Sequence, residues 1–366
     1  MPDSTASTAV SRTVRVRPTR VLALWLTNAI RRVGWQVVGL PVVIVAMVIY
    51  FSSRSDVFLT VSNMQNLGRT LAVVALLAIG QAFVILLAEV DISVGSIVGL
   101  ATVTTALAVQ DFGVIGLAAA PITGAIVGIV NGAIIATFLI HSVIVTIGTL
   151  TLVRGLAFVW TDGQPVTGEF PRAFTWLGDG FIGPFPAPFV IAAFALMAAW
   201  FVLRYTTLGP KLYATGGNEE AARLAGLNVR RIKVIAFVIS GTLAGIAGLI
   251  LAARITSGQP NLGAGLELQS IAAAVVGGMA LTGGRGTIGG VALGILVLTV
   301  LQNGLDITNV SSYLQQVISG LVILAAVIID SLRSRPRASR AGPTEAPPLS
   351  PATAGAAARE PEDARR

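Results

Sequence analysis

Three carboxylates stand in or beside strongly apolar stretches of this chain. Glu89 and Asp91 lie in Ala88-Glu89-Val90-Asp91-Ile92-Ser93-Val94-Gly95-Ser96, and Glu267 follows Gln259-Pro260-Asn261 by a few residues. An ionised side chain at the centre of a membrane span costs about 2.5–3.5 kcal/mol, so such residues usually have a task. Two tasks fit. Asp91 can cap the helix that follows, with Ser93 assisting. Alternatively Glu89, Asp91 or Glu267 binds and releases a coupling ion as a polar solute crosses. Asn131-Gly132 and Asn303-Gly304 put amides at comparable places in two later apolar runs. Arg154 and Asp306 can face an aqueous path or snorkel to an interface. Glu89, Asp91, Ser93, Gly95, Asn131, Glu267 and Asn303 are the candidates for lining or gating a translocation pathway.

Other chemistries lack their parts. His141 is the only histidine, no triad or nucleophile-elbow pattern surrounds it, and one loop histidine supports neither a metal site nor a proton relay. The absence of cysteine removes disulfides, thiolate metal sites and a Cys nucleophile. Only two lysines occur; Lys211 follows Pro210 and Lys233 follows Ile232, so no Gly-Lys-Ser/Thr phosphate loop can form. No catalytic residue, metal or cofactor is expected on this chain, and energy for any active process must come from another one.

The elements that position these residues are membrane helices. With 54% hydrophobic and 11% charged residues and a mean hydropathy of +0.82, the 366-residue chain belongs in a bilayer. Apolar runs measured against the ~20 residues that cross a bilayer predict an all-α integral membrane protein with about ten spans, near 34–51, 67–88, 92–110, 112–137, 143–161, 188–205, 232–253, 267–282, 286–305 and 314–331. Turns near 89–91 and 283–286 are short enough for broken or re-entrant helices. Spans two to five and seven to ten can form two halves in inverted repeat. Gly124, Gly128 and Gly132, Gly241 and Gly245, and Gly290 and Gly294 recur at four-residue spacing, which lets helices approach closely within the chain or against a second copy. The loop 162–188, with Phe170, Phe174, Trp176, Phe181 and Phe185, forms either a compact cap or an interfacial aromatic belt.

Twenty of the 25 Lys and Arg fall before the first span, around residues 204–233, at Arg285 or after Asp330. The positive-inside rule makes those places cytoplasmic, so both termini lie inside a bacterial cell membrane crossed many times. The basic residues are bunched, without aromatic interleaving, so nucleic acid is not an expected partner. Residues 1–33 are an Arg-rich tail, 34–332 the transmembrane domain, and 333–366 a Pro/Ala/Arg-rich disordered tail.

Within the cytoplasmic loop 206–233, Thr215-Gly216-Gly217-Asn218-Glu219-Glu220-Ala221-Ala222-Arg223-Leu224-Ala225-Gly226-Leu227-Asn228-Val229 reads as a short helix with both ends marked. Asn218 caps its amides, Glu219 and Glu220 oppose its dipole, and Gly226 takes a left-handed exit. So short a helix needs a docking partner to be stable. The stretch resembles the cytoplasmic coupling loop of ribose/xylose-type (monosaccharide) ABC transporter permeases, the binding-protein-dependent inner-membrane components. Asp91-Ile92-Ser93-Val94-Gly95-Ser96, Gln259-Pro260 with Glu267, and Gly277-Gly278 with Gly283-Gly284-Arg285-Gly286 resemble further signatures of that family. Ala88-Glu89 depart from its usual paired glycines, and His141-Ser142 depart as well. The likeness runs from about Asn63 to Leu332.

The resemblance implies a permease subunit of an importer for a monosaccharide. A separate P-loop ATPase subunit would hold ATP-Mg, an extracytoplasmic sugar-binding protein would deliver cargo, and a second permease copy would complete the path. It assigns Gly217, Asn218, Glu219, Glu220, Ala221, Arg223, Leu224 and Gly226 to contact with the ATPase. The rival expectation is an ion-gradient-driven secondary transporter. The sugar is not legible, because no aromatic platform or polar cluster stands out in the spans.

Overall fold

A computed structural model describes residues 35–334; the tail over 1–33, and the tail over 333–366 beyond Ser334, lie outside the described residues. In chain order the helices are α1 (Trp35–Arg54), α2 (Val61–Ile85), α3 (Val94–Phe112), α4 (Ala119–Phe138), α5 (Ser142–Thr161), α6 (Arg172–Asp179), α7 (Ala187–Tyr205), α8 (Leu208–Gly217), α9 (Glu219–Leu224), α10 (Val229–Ile255), α11 (Leu266–Val276), α12 (Ile288–Ile307) and α13 (Ser312–Ser334). A helix therefore stands at each expected span, but among the described residues six helical stretches are long and apolar enough to cross a membrane: α2, α3 through α4 as one run, α5, α7, α10 and α12. One small hairpin, β1 (Phe181–Ile182) with β2 (Phe185–Pro186), departs from the all-α expectation.

The expected span 267–282 is corrected to a half-span. α11 has 11 residues and stops at Gly277, after which Gly278, Gly283, Gly284 and Gly286 all adopt positive φ and turn the chain back towards α12. Glycine takes that conformation without the Cβ clash that disfavours it elsewhere, so helix cannot compete here. α3 is also preceded by a break, over residues 86–93.

A second re-entry follows α10. Thr256 closes that helix in a left-handed conformation, and Gly258 exchanges both backbone hydrogen bonds with Val166 (2.8 and 2.9 Å). The chain then descends along α3. Gly258 lies against Ala106, Gln259 binds Thr102 Oγ1 through its N–H (3.0 Å), and Gly263 presses on the backbone of Gly95. Eleven residues of α3, about 16 Å, are traversed in this way. α3 and α11 consequently both start inside the bundle. α3 runs towards the 162–188 end, where Val109 packs with Ala252 and Ala253, and α11 runs towards the turn at Leu86.

The helices touch where glycine removes the side chain. A Cβ on Gly124 or Gly241 would collide with the backbone of the other, and Gly128 and Gly132 meet Phe237 and Val234, so α4 and α10 pack antiparallel along their length. Gly290 and Gly294 do the same against Gly277 and Ala273. All three glycine stripes thus serve contacts within the chain, as close approach without a hydrophobic drive requires. The 162–188 segment forms a folded cap: Phe174 is buried, stacks on Phe170 at 4.7 Å, and packs with Val109 and Ala252.

Candidate translocation and coupling site

Local sequence builds the 206–233 segment as expected. Asn218 Oδ1 accepts the Ala221 N–H at 2.9 Å and caps α9. Gly226, at φ +82°, ends it: the Leu227 N–H bonds Ala222 O and the Gly226 N–H bonds Arg223 O, both at 3.0 Å, which is the Schellman closure. Asn228 Oδ1 then accepts the Arg231 N–H at 3.0 Å and starts α10. Of the eight residues expected at this site, all are exposed, and Leu224 is 81% exposed, a bare apolar side chain beside the Glu220–Arg223 pair. Ala222 is the one buried residue of α9.

One member of that set, Glu219, reaches back. Lys233 Nζ lies 3.0 Å from Glu219 and 2.8 Å from Glu89 Oε1, so a single cation ties the exposed helix, the foot of α10 and the turn after α2 together. The Lys233 and Glu89 side chains are 8% and 12% exposed, and that of Glu219 is 46%. Directly beside them three backbones meet. A Cβ on Gly216 would collide with Leu86 O, the Gly284 N–H donates to Leu86 O at 2.9 Å, and Gly283 abuts Gly216 and Ala88. Tyr213 donates its hydroxyl to Gly286 O at 2.9 Å, and half-burial raises its pKa, which keeps it a donor.

At this junction Ala88 holds φ +59°, a conformation that costs a non-glycine residue about 1–2 kcal/mol. Ala88 is where the resembling family's signature has glycine. Ala88→Gly is therefore expected to raise the melting temperature of the purified protein by a few degrees; an unchanged or lower value would mean the turn carries no strain.

Asp91 is fully buried inside the bundle. Its Oδ1 accepts the Ser93 N–H (3.1 Å) and Ser93 Oγ–H (2.6 Å), and its Oδ2 accepts from Ser240 Oγ (3.0 Å). Ser240 is about two turns along α10 from Lys233, roughly 10 Å into the bundle. Ser93 is the N-cap residue of α3 but makes no capping bond, because its hydroxyl is committed to Asp91. The network continues outward: Asn131 Nδ2 donates to Ser93 Oγ at 2.9 Å, and Thr149 Oγ1 donates to Asn131 Oδ1 at 2.7 Å. Gln81 clasps the Asp91 backbone through its side-chain amide, and Ser142 Oγ accepts the Val90 N–H at 3.0 Å. Five helices, α2, α3, α4, α5 and α10, are thereby pinned to one loop.

Gly95 and Glu267 meet across the two helix starts: a Cβ on Gly95 would strike the Glu267 carboxylate, whose Oε2 is buried and has no hydrogen-bond partner. Asn303 lies apart. It makes a reciprocal amide pair with Asn63 (2.9 and 3.0 Å) at the far end of the bundle, and so belongs to helix packing between α12 and α2. Lys233, Gln81, Ser240, Thr149 and Ser142 complete these clusters, and none of them was among the expected site residues. Lys233 is one of two lysines in the chain and opens an apolar run, a signal of scarcity that marked it. Gln81 and Ser240 are lone polar residues inside apolar runs, which only a fold can assign to partners. His141 is exposed, and among the described residues no group of three His, Asp or Glu stands together as a metal site.

Apolar helices broken within the bundle around buried polar clusters, with a capped and largely exposed helix at one end, define a multi-pass membrane protein. Comparison with known proteins assigns its family. The model described as "Branched-chain amino acid transport system / permease component" matches residues 63–327, and the chain belongs to this family of transport permeases. It is 39% identical to the ribose import permease protein RbsC of Escherichia coli K12 over 295 residues, 79% of this chain and 92% of that one. The L-arabinose transport system permease protein AraH of the same strain is 40% identical over 303 residues, covering 82% and 92%. RbsC of Bacillus subtilis strain 168 is 39% identical over 297 residues, covering 79% and 90%. No solved structure matches the chain.

Proposed function

We propose that this chain is the membrane-spanning permease of a bacterial ABC importer for a monosaccharide. The names of the relatives above support the sugar, and similarity over 90–92% of their length supports the same subunit role. A separate ATPase with bound ATP-Mg supplies energy, an extracytoplasmic binding protein delivers the sugar, and two permease copies form the assembly. The 206–233 end faces the cytoplasm with both termini, as the clustering of basic residues favours. The opposed starts of α3 and α11 are what two inverted halves, 61–161 and 229–334, would leave behind.

The observation that carries the mechanism is the Glu219–Lys233–Glu89 chain of ion pairs. Glu220, Ala221, Arg223 and Leu224 face outward to dock on the ATPase, while Glu219 faces inward. When ATP closes the ATPase pair, displacement of α9 is passed through Lys233 to Glu89, and through the rigid 86–93 turn to Asp91, Ser93 and Asn131. That loop anchors five helices, so its movement exchanges outward for inward access. The rival, an ion-driven transporter, is favoured by one feature only, the unpartnered Glu267 Oε2.

Vesicles containing the permease with or without a partner ATPase separate the two. ATP-dependent uptake that Arg223→Glu with Leu224→Asp lowers at least about tenfold, with loss of ATPase binding, is the expected result. Uptake driven by a sodium or proton gradient alone refutes it.

A further inference from the structure

A cleft of about 700 Å³ opens between α11, α12 and α13, within the ~300–1,000 Å³ range of small-molecule sites. Exposed Gly265 and half-buried Leu266 line it at the start of α11, and Asp306 and Ser312 line it at the end of the molecule opposite Lys233. Gln269 and Gln302 share a hydrogen bond (2.6 Å) on one wall, and Gln315 binds Asp306 (2.8 Å) at the mouth. Gln316 and Ser319 line the facing wall with no partner among the described residues. The opposite face of α13 is apolar and exposed, with Leu314, Val317, Leu321 and Leu324.

The two faces of α13 call for different surroundings. Lipid suits Leu321 and Leu324, but hydrocarbon in the cleft would strand the Gln316 amide and the Ser319 hydroxyl, which have no partner among the described residues. Water or a polyhydroxylated solute satisfies them. Adjacent hydroxyls of a sugar match the donor and acceptor pairs of side-chain amides, while Leu298, Leu301 and Ala272 offer apolar wall to its C–H face. We infer that this cleft is a weak, outward-facing binding site for the transported monosaccharide, with Gln269, Gln302, Gln316 and Ser319 as its hydrogen-bonding groups. It rests on the transport reading above and locates a stage of the path inside one protomer.

The cysteine-free chain allows a direct test in membranes holding the full chain with its ATPase. Ser319→Cys and Gln316→Cys are each treated with a charged, membrane-impermeant methanethiosulfonate, with Leu324→Cys as the lipid-facing control. The cleft variants are expected to react at least about tenfold faster than the control. One or more of the aldopentoses, aldohexoses or myo-inositol at 100 mM should slow that reaction at least about threefold, while proline at the same concentration leaves it unchanged. Reaction only with a lipid-soluble maleimide identifies a lipid crevice and overturns the proposal; so does impermeant labelling that none of these sugars slows. ATP-driven uptake measured in the same membranes reports separately: uptake without protection removes the cleft alone, and protection with gradient-driven uptake removes the importer reading alone.

Discussion

Lys233→Met is expected to abolish ATP-driven uptake, a fall of at least about tenfold, and to lower stability. It leaves Glu89, whose side chain is 12% exposed, without its cation at 2.8 Å. Removing one partner of a buried pair costs about 3–5 kcal/mol, because the remaining charge is neither solvated nor paired. Glu219 is half exposed and regains water, so it adds little to that figure. The double variant Lys233→Met with Glu89→Gln removes the stranded charge and should recover most of the lost melting temperature. It should not recover uptake, because the link from Glu219 to the turn is still cut. A double variant that melts normally and transports at the original rate would show the triad to be scaffolding and nothing more.

Asp91→Ala carries the second large effect. Its carboxylate accepts from the Ser93 N–H, the Ser93 hydroxyl and the Ser240 hydroxyl, all buried. Each hydrogen bond to a charged group is worth about 1.5–3 kcal/mol, and the three are not additive, so a loss of about 3 kcal/mol or more is expected. Thermal melting in detergent measures it, and uptake should fall more than tenfold as α3 loses its register against α10. Asp91→Asn keeps the shape and part of the bonding and should restore most of the stability. Uptake separates the roles: wild-type rates in Asp91→Asn identify a structural anchor, whereas a folded variant with no uptake and no ATP requirement in the parent points to an ion-coupling carboxylate.

Much of the coupling segment was legible because it is local. Asn218, the two glutamates after it, Gly226 and Asn228 act on backbone groups within five residues, and the structure places each cap where chain chemistry puts it. The departure at Ala88 was legible too, since a left-handed turn disfavours any residue with a Cβ. The glycine stripes announced close packing, though not with what: Gly124 finds Gly241, and Gly290 finds Gly277.

Apolar run length marked where helices begin, but only six stretches among the described residues are long and apolar enough to span, and it misjudged α11, because residues 277–281 carry no charge while the glycines at 277 and 278 end the helix. Hydropathy reports partition into lipid, and a turn buried in protein satisfies that measure as well as a helix does. The polar clusters were invisible for a related reason. Gln81, Asp91, Asn131, Thr149 and Ser240 come from five parts of the chain, and so do the cleft residues Gln269, Gln302 and Gln316 from three. Each alone is an unremarkable polar residue in an apolar run; only their convergence makes a site.

Composition and local motifs by themselves settled that this chain lives in a bilayer, holds no phosphate loop, and presents a capped helix at its basic end, since those properties depend on residue type and near neighbours. Tertiary structure alone decided that Lys233 joins Glu219 to Glu89, that Asp91 is buried among five helices, and that Gly95 confronts Glu267. Those pairings span up to 172 residues of sequence, and their partners are selected by helix packing, which no short window of sequence encodes.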